Sequence, residues 1–511
     1  MWAQDDRFPM SDAAVIDVGS NSVRLVLYRL EGRAVWTVFN EKILAGLGRD
    51  LATTGRLSPE GIETAIGALT RFKALLDAGR PAQIYAAATA AVRDAKDGDT
   101  FCRRVLAETG LNLRVLSGKE EARYAAYGVV AGCPTATGIV GDLGGASLEL
   151  IRLQHGEPSD GVTLPLGPFS MADQGRFDPD RVRAIAAKLL APIAGRLSAG
   201  SLNAVGGAWR SLAILHMRMT DYPLEIVHQY EMTRGEALDA ARVIARQSKS
   251  SLDRIEGISR RRLETLPHAA TIMEALIEAL DIQKVVVSAY GLREGLLFAG
   301  MPAALRAKDP LIEGCAALGA RQGVNEDLAP ALEAWLAPAF STIEPVFGQR
   351  DPVLLAAACR LADLGARLHP DHRADLLFEQ VLRAPIPGMD HAERVYLACA
   401  AFGRHTAATT IPEPDLVARL LSHDRYRRAR ALGSAMRLGC DLSGRSVELL
   451  SHSRLDFKPN TIIVQAEDDW AGMLLGEQTA KRAGALAALL DRDFKLRAVK
   501  GDFAATVVAA E

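Results

Sequence analysis

The feature that most constrains the fold is a repeat. VIDVGSNSVRLVL at residues 15–27 can be laid over VGDLGGASLELIR at residues 140–152, 125 positions later. Each copy reads Asp, an apolar residue, Gly, two variable positions, Ser and then an apolar run, the pattern of strand, Gly-rich turn, strand. A unit carried twice in this way predicts an internal duplication.

The segments after each copy fit two rounds of α/β layering. In the first, AVWTVFNEKIL predicts a third strand, and SPEGIETAIGALTRFKALLDAG a helix with Ser58 as N-cap and Pro59 at its first position, although Gly61 stands where a capping box would want an acid. QIYAAATAAVRD predicts a strand running into a loop, followed by a helix at 98–109 and the strand LNLRVL. The second round predicts a helix at 180–198, the strand SLNAVGG, helical segments over 234–280 and the strand KVVVSAYGL. From about 303 the spacing of Leu and Ala becomes helical through 440, and the tail predicts strands at SVELLSH and NTIIVQA with a helix at TAKRAGALAALLD. The expected domains are 1–130 and 131–302, both α/β, an all-α domain at 303–443 and a small α+β domain at 444–511.

Composition excludes several classes. With 49% hydrophobic residues in 511, the chain can bury several cores and is not a disordered polymer. Lys plus Arg number 60 against 62 Asp plus Glu, a net charge of -2, so no global attraction to nucleic acid or an anionic membrane is encoded and anion binding must be local. Six widely spaced cysteines give neither a metal pattern nor a disulfide scaffold and read as reduced thiols. The N-terminus MWAQDDRFPM lacks a basic flank and an apolar run, and no stretch approaches the roughly 18 to 20 apolar residues a membrane span needs, so a cytoplasmic protein is expected.

In an Asp-x-Gly-x-x-Ser turn, glycine permits the tight bend, backbone N–H groups face a concavity and serine adds a hydroxyl, so the turn can hold phosphate oxygens. One copy alone reads equally as an ordinary hairpin with an Asx turn. Two copies can grip adjacent phosphates across a cleft. Asp17, Asp142 and Glu149 sit on these units; in SGKEEARYAAYG, Ser117 and Glu120 satisfy a capping box, which leaves Glu121 spare. Phosphoryl transfer to water needs a base, carboxylates for a divalent cation, and donors for the phosphoryl oxygens, and all three are present.

In order, DVGSNSVR (17–24), TAAVRDAKDG (89–98), SGKEEAR (117–123), DLGGASLE (142–149), LPLG (164–167) and AVGGAWRSLA (204–213) resemble the exopolyphosphatase and guanosine pentaphosphate phosphohydrolase family, over residues 12–300. The resemblance implies two actin-like (ribonuclease H-like) α/β domains, with the helical region resembling the HD-like third domain and small fourth domain of the family's longer members. It implies Glu121 as the base that activates water, Asp142 and Glu149 as assisting acids, and Asp17, Asp142 and Glu149 as holders of Mg²⁺, with or without a monovalent cation such as K⁺. Gly19, Ser20, Asn21 and Ser22 match the first phosphate loop, Gly144, Gly145, Ala146 and Ser147 the second, and Arg24 and Arg93 the cations that face substrate. The implied partners are linear polyphosphate or guanosine pentaphosphate, and a second copy in a homodimer. Ala146 replaces the usual third glycine of DxGGGSxE, where a positive φ would be expensive, so a slightly altered loop is expected; Ala90 stands where a hydroxyl residue is common.

AVGGAWRSLA also reads as the Gly-Gly turn with which kinases of the same superfold hold adenosine, but no Walker GxxxxGK[ST] is present. In CRLADLGARLHPDHRADLL, Ala362 and Asp363 occupy the His-Asp position of HD metal sites; the missing imidazole removes a ligand, so His369, His372, His391 and His405 are expected to be packing or surface residues. The helix DLVARLLSHDRYRRAR carries Arg419, Arg425, Arg427, Arg428 and Arg430, with Arg437 beyond, and reads either as a solvated face or as a track for a polyanion. The expectation is an Mg²⁺-dependent exopolyphosphatase, with guanosine pentaphosphate hydrolysis or a non-catalytic phosphate sensor as alternatives.

Overall fold

A computed structural model describes residues 10–171, 177–247, 260–501 and 503. The chain forms two compact units, Met1–Pro310 and Leu311–Glu511.

In the first unit, one sheet is built from β1 (Met10–Val18), β2 (Val23–Glu31), β3 (Ala34–Ile43), β4 (Gln83–Ala88) and β5 (Arg114–Val115), in the order β3-β2-β1-β4-β5. β1 pairs antiparallel with β2 and parallel with β4; Ala13 to Ile16 are fully buried, as a strand covered on both faces requires. The second sheet repeats the plan. β6 (Gly138–Leu143) pairs antiparallel with β7 (Leu148–Gln154) and parallel with β10 (Ser201–Val205), which continues to β12 (Lys284–Val287) and an antiparallel β11 (Tyr230–Thr233). Short strands β8 (Glu157–Pro158) and β9 (Val162–Leu164) both pair with β7. Asp17 lies opposite Arg24 in the first hairpin, and Asp142 opposite Glu149 in the second.

The expected helices form at Pro59–Gly79, Gly98–Thr109 and Pro179–Leu190, and the 234–280 region contains Arg234–Ala245 and Arg260–Ala279. Gly61 is small for a packing reason: a Cβ there would lie 3.1 Å from the Ala45 and Gly46 carbonyl oxygens. After β4 the chain enters a short helix, Ala90–Asp94, rather than a loop.

Two helices are exchanged between the halves, which order along the chain does not reveal. Gly118–Gly132 packs Ala122, Ala126 and Val129 against Val140 and Ile151 of the second sheet. Leu292–Gly300 packs Leu292, Leu296 and Leu297 against Ala13, Val15 and Val26 of the first. They meet backbone to backbone, since a Cβ on Gly295 would lie 2.7 Å from the Tyr124 carbonyl carbon.

The second unit is helical from Leu311 to Leu442 and closes with β13 (Ser453–Lys458), β14 (Thr461–Glu467) and β15 (Asp493–Val499). SVELLSH is not a strand as expected: Ser446 accepts from Leu449 N at 3.2 Å and starts the helix Val447–Ser451, its hydroxyl supplying the cap that a strand would not use. All six cysteines are free. Among the described residues no helix is long and apolar enough to cross a membrane.

Candidate active site

Both Gly-rich turns are closed by the same bond, Gly19 N to Ser22 O at 3.0 Å and Gly144 N to Ser147 O at 2.9 Å. Each is then clamped from behind through its carbonyls. Ser20 O and Asn21 O accept from Gly48 N (2.8 Å) and Gly46 N (3.1 Å); Gly145 O and Ala146 O accept from Phe169 N (2.8 Å) and Gly167 N (3.2 Å), with Ser170 Oγ also on Ala146 O at 2.6 Å. In a trans peptide the N–H points opposite to the C=O. Fixing these carbonyls therefore turns the N–H groups of Asn21 and Ser22, and of Ala146 and Ser147, away from the clamp as two anion-binding nests. Gly167, the glycine of LPLG, is the closest element of the second clamp: a Cβ on it would lie 2.6 Å from Ala146 N and Cα. Ala146 is not among the residues with positive φ, nor are Gly144 and Gly145, so the alanine carries no left-handed backbone strain in this loop.

Both turns open on one cavity of about 610 Å³. Of the residues singled out in the sequence, Asp17, Gly19 to Ser22, Arg24, Glu121, Asp142 and Gly144 to Ser147 line it, as does Ala90. Two do not. Glu149 lies behind the wall at 1% exposure, its carboxylate enclosed. Arg93 lines an adjoining cavity of about 510 Å³ that shares Ala146, Ser147 and Phe169 with the first. From there its Nη1 donates to Glu121 Oε2 at 2.9 Å and to Leu116 O at 3.3 Å, while Nε holds Asp94 Oδ1 at 3.0 Å.

Glu121 is placed by its helix start. Ser117 N donates to Glu120 Oε2 at 2.9 Å and Glu120 N to Ser117 Oγ at 3.3 Å, the capping box read from the sequence, so Glu120 is spent on the cap and the next residue turns inward to 7% exposure.

Lys42, Thr89, Arg210 and Arg293 also line the cavity and were missed in the sequence. Arg210 had a signal. TAAVR (89–93) after β4 and GGAWR (206–210) after β10 are the same element in the two copies, so Arg210 is the counterpart of Arg93. Lys42 had none, being one charge on the outer part of β3.

The carboxylates crowd one another. Burial, then the charge of Asp142, push Glu121 up to about 7, against the pull of Arg93. Asp142 rises to about 6 through burial and the nearby Asp17; Asp17 is itself raised by burial, countered by Arg293 and Arg24. Glu149 is raised well above the usual range by burial and by Glu121. Burial and the neighbouring Arg293 and Arg210 lower Arg24 to about 10. Strongly shifted acids gathered in a cleft mark a site for chemistry.

The six arginines read as a track do not share a face. On the helix His423–Leu442 their spacing spreads them around the axis. Three anchor neighbouring segments, Arg425 Nε donating to Val346 O (3.1 Å), Arg428 Nη2 to Glu344 O (2.8 Å) and Arg427 Nη2 to Leu489 O (3.2 Å) and to Asp491, while the buried Arg430 Nη1 donates to Tyr426 Oη (3.0 Å) one turn back on the same helix. Arg419 lies on the separate helix Pro414–Leu420, and Arg437 faces Asp441 at 3.9 Å. Among the described residues no group of His, Cys, Asp or Glu forms a metal cage; His369 is exposed, and His391 and His405 are buried or nearly so.

Two duplicated α/β halves with a phosphate nest from each and acids between them define a phosphate-handling enzyme of the actin-like superfold. The Ppx/GppA phosphatase family matches residues 26–304, and the exopolyphosphatase C-terminal region matches residues 326–496. The chain belongs to the Ppx/GppA phosphatase family. It is 29% identical over 297 residues to exopolyphosphatase 1 of Mycobacterium tuberculosis, covering 55% of this chain and 86% of that one. It is 28% identical over 334 residues to retrograde regulation protein 2 of Saccharomyces cerevisiae, covering 58% of this chain and 57% of that one. The crystal structure of the Aquifex aeolicus Ppx/GppA family member superposes with a TM-score of 0.50 at 26% identity, over 57% of this chain and 97% of that one. An exopolyphosphatase from Cytophaga hutchinsonii shares the fold at a TM-score of 0.52 and 22% identity, over 56% of this chain and 97% of that one.

Proposed function

We propose that this protein is an exopolyphosphatase that releases terminal orthophosphate from linear polyphosphate by attack of water. The observation that carries the reading is one cavity holding two opposed kinds of group: the acids Asp17, Glu121 and Asp142, and the cations Arg24, Lys42, Arg210 and Arg293 beside two N–H nests. The nests and cations suit successive phosphates of a densely charged chain, because guanidinium groups and oriented N–H donors match phosphate oxygens. The relatives named exopolyphosphatase and the matched C-terminal region support a polyphosphate substrate.

In this reading Glu121, steadied at Oε2 by Arg93, takes a proton from water as the water oxygen bonds to the terminal phosphorus. The terminal P–O anhydride bond breaks, and the shortened chain leaves with the electron pair. Burial, with the like charge of Asp142 and then of Asp17, keeps Glu121 basic. The N–H groups of Ala146 and Ser147 receive charge on the phosphoryl oxygens.

A divalent cation fits the site. Four acids are raised by burial and by neighbouring carboxylates, so positive charge is wanting there. The lack of an all-protein cage among the described residues suits Mg²⁺, which is commonly held by one or two carboxylates plus substrate phosphates and water. Asp17 and Asp142, which face the cavity, would hold it, with Glu149 behind them. Bound there, it would neutralise charge between acids and substrate.

In the second unit we read the helices as HD-like without the metal set. Ala362 is buried, and Asp363 is taken by Arg445 at 3.1 Å.

The test is phosphate release from polyphosphates of graded length, guanosine pentaphosphate and ATP. Stepwise orthophosphate release, fastest from polyphosphate, is expected. Faster release from guanosine pentaphosphate would favour the nucleotide alternative, and binding without release would favour a sensor.

A further inference from the structure

The glycine that lets the second clamp close also leaves it loose. Gly167 has no Cβ to strike Ala146, and glycine is the residue whose backbone turns most freely. Its N–H, which holds Ala146 O at 3.2 Å, belongs to the peptide unit between Leu166 and Gly167, and no peptide among the described residues is cis. In a trans unit the Leu166 carbonyl points opposite to that N–H. Rotation of this one unit about its flanking bonds would turn the N–H away from Ala146 and release the nest.

His268 holds the other end of the unit. Its Nε2 lies 2.9 Å from Leu166 O. A carbonyl only accepts, so Nε2 carries the proton, and burial, against the pull of that bond, lowers the pKa of the imidazole and keeps it neutral. Among the described residues Leu166 O accepts from no other group. The histidine is 6% exposed and stands in the helix Arg260–Ala279 beside Leu266, Ala269 and Ala270, which are buried at 1% or less. Apolar packing alone does not ask for a ring with polar atoms there; the buried carbonyl does. The helix is braced in turn, since Trp209 Nε1 donates to Ala269 O at 3.0 Å. Arg210, the residue after Trp209, lines the hydrolytic cavity, as does Thr265, one turn before His268.

We propose that His268 is a positioning residue of the hydrolytic site, locking the Leu166–Gly167 peptide unit so that its N–H aims the second nest at the phosphoryl oxygens. It does not line the cavity, and acts through two hydrogen bonds in line, His268 Nε2 to Leu166 O and Gly167 N to Ala146 O. Donation to the carbonyl also polarises the unit and strengthens its N–H as a donor. This role rests on the function proposed above, in which the Ala146 and Ser147 N–H groups receive charge that develops as the phosphorus is attacked.

The test is steady-state kinetics of His268→Leu and His268→Gln on whichever of polyphosphate, guanosine pentaphosphate and ATP the parent hydrolyses fastest, with unfolding temperatures measured alongside. Leucine fills the space and leaves Leu166 O unpaired, whereas glutamine returns an N–H to it. Because the nest acts on the transition state, His268→Leu should lower kcat roughly tenfold with KM within about twofold, a fraction of the loss of order 10²–10³ that follows removal of an oxyanion donor outright; His268→Gln should recover most of it. His216→Leu is the control for stability alone. His216 Nδ1 bonds Tyr230 Oη at 2.7 Å, is buried to the same 6%, and lines neither cavity. That variant should lower the unfolding temperature and keep kcat. Parental kcat in His268→Leu, equal losses in His268→Leu and His268→Gln, or the same loss of kcat in His216→Leu overturns the assignment. A parent that hydrolyses none of the three substrates sinks the hydrolytic reading separately, and calorimetric titration with tripolyphosphate then decides for His268: binding weakened in His268→Leu and kept in His268→Gln supports its role in aiming the nest, and equal binding by both variants and the parent overturns it.

Discussion

Replacing Gly167 by alanine tests the claim that the second nest is aimed by its clamp. A Cβ at this position falls 2.6 Å from Ala146 N and Cα, whereas carbon atoms rest about 3.5–4.0 Å apart. The obstructing atoms are backbone, so no rotamer can relieve them, and the loop must retreat by roughly an ångström. That moves the Ala146 and Ser147 N–H groups. Overpacking of this kind costs about 1–3 kcal/mol of stability, and misplacement by about 1 Å of groups that position a reactant can cost on the order of 10²-fold in rate. The assay is kcat/KM for polyphosphate with the unfolding temperature measured in parallel. Two controls bracket it. Gly48→Ala in the first clamp meets Ser20 Cβ at 3.1 Å and should be milder. Ala146→Gly, at an ordinary φ, should cost only about 0.4–1 kcal/mol through the unfolded chain, with turnover kept. A Gly167→Ala protein with parental kcat/KM would refute the clamp argument outright.

Glu121→Gln should leave phosphate binding largely intact and lower turnover by roughly 10²- to 10⁴-fold, measured in steady state. Because burial and Asp142 raise Glu121 from 4.5 to about 7, its protonated form is the one that folding favours, so stability in metal-free buffer should fall as pH rises from about 4.5 to about 7, and Glu121→Gln should flatten that slope in pH-dependent thermal melts. EDTA should abolish phosphate release and Mg²⁺ restore it; full activity in metal-free buffer would contradict the charge argument. Arg427, Arg428 and Arg430 changed together to Gln should lower the unfolding temperature and leave the ratio of turnover on long and short substrates unchanged, because these side chains hold Leu489 O, Glu344 O and Tyr426 within the second unit; a loss confined to long chains would restore the track.

The hairpin turns, the capping box and the place of Glu121 were legible because each depends on neighbours within a few residues. Clamping was not, since Gly167 acts on Ala146 across a turn and its role shows only as a missing Cβ. Arg210 was readable in principle through the second repeat element, but the spacing differs from that of the first, 117 residues against 125, and a fixed offset passes over it. The arginine-rich helix misled for the opposite reason: composition records charge, whereas the turn of the helix decides direction, and Arg425 and Arg427 point to different neighbours. The exchange of helices Gly118–Gly132 and Leu292–Gly300 lies beyond local pattern altogether.

The register of the two hairpins has a consequence for how such a cleft can arise. Opposite the invariant position of the repeat, where both copies carry aspartate, one copy presents Arg24 and the other Glu149. Two identical chains meeting around the same cleft would have to present the same residue twice. Fusion of the copies into one polypeptide breaks that symmetry at a single register position. The cleft then has a polarity, because Arg24 lines it while Glu149 lies behind its wall, and a chain of phosphates that looks alike from either end meets a site that does not.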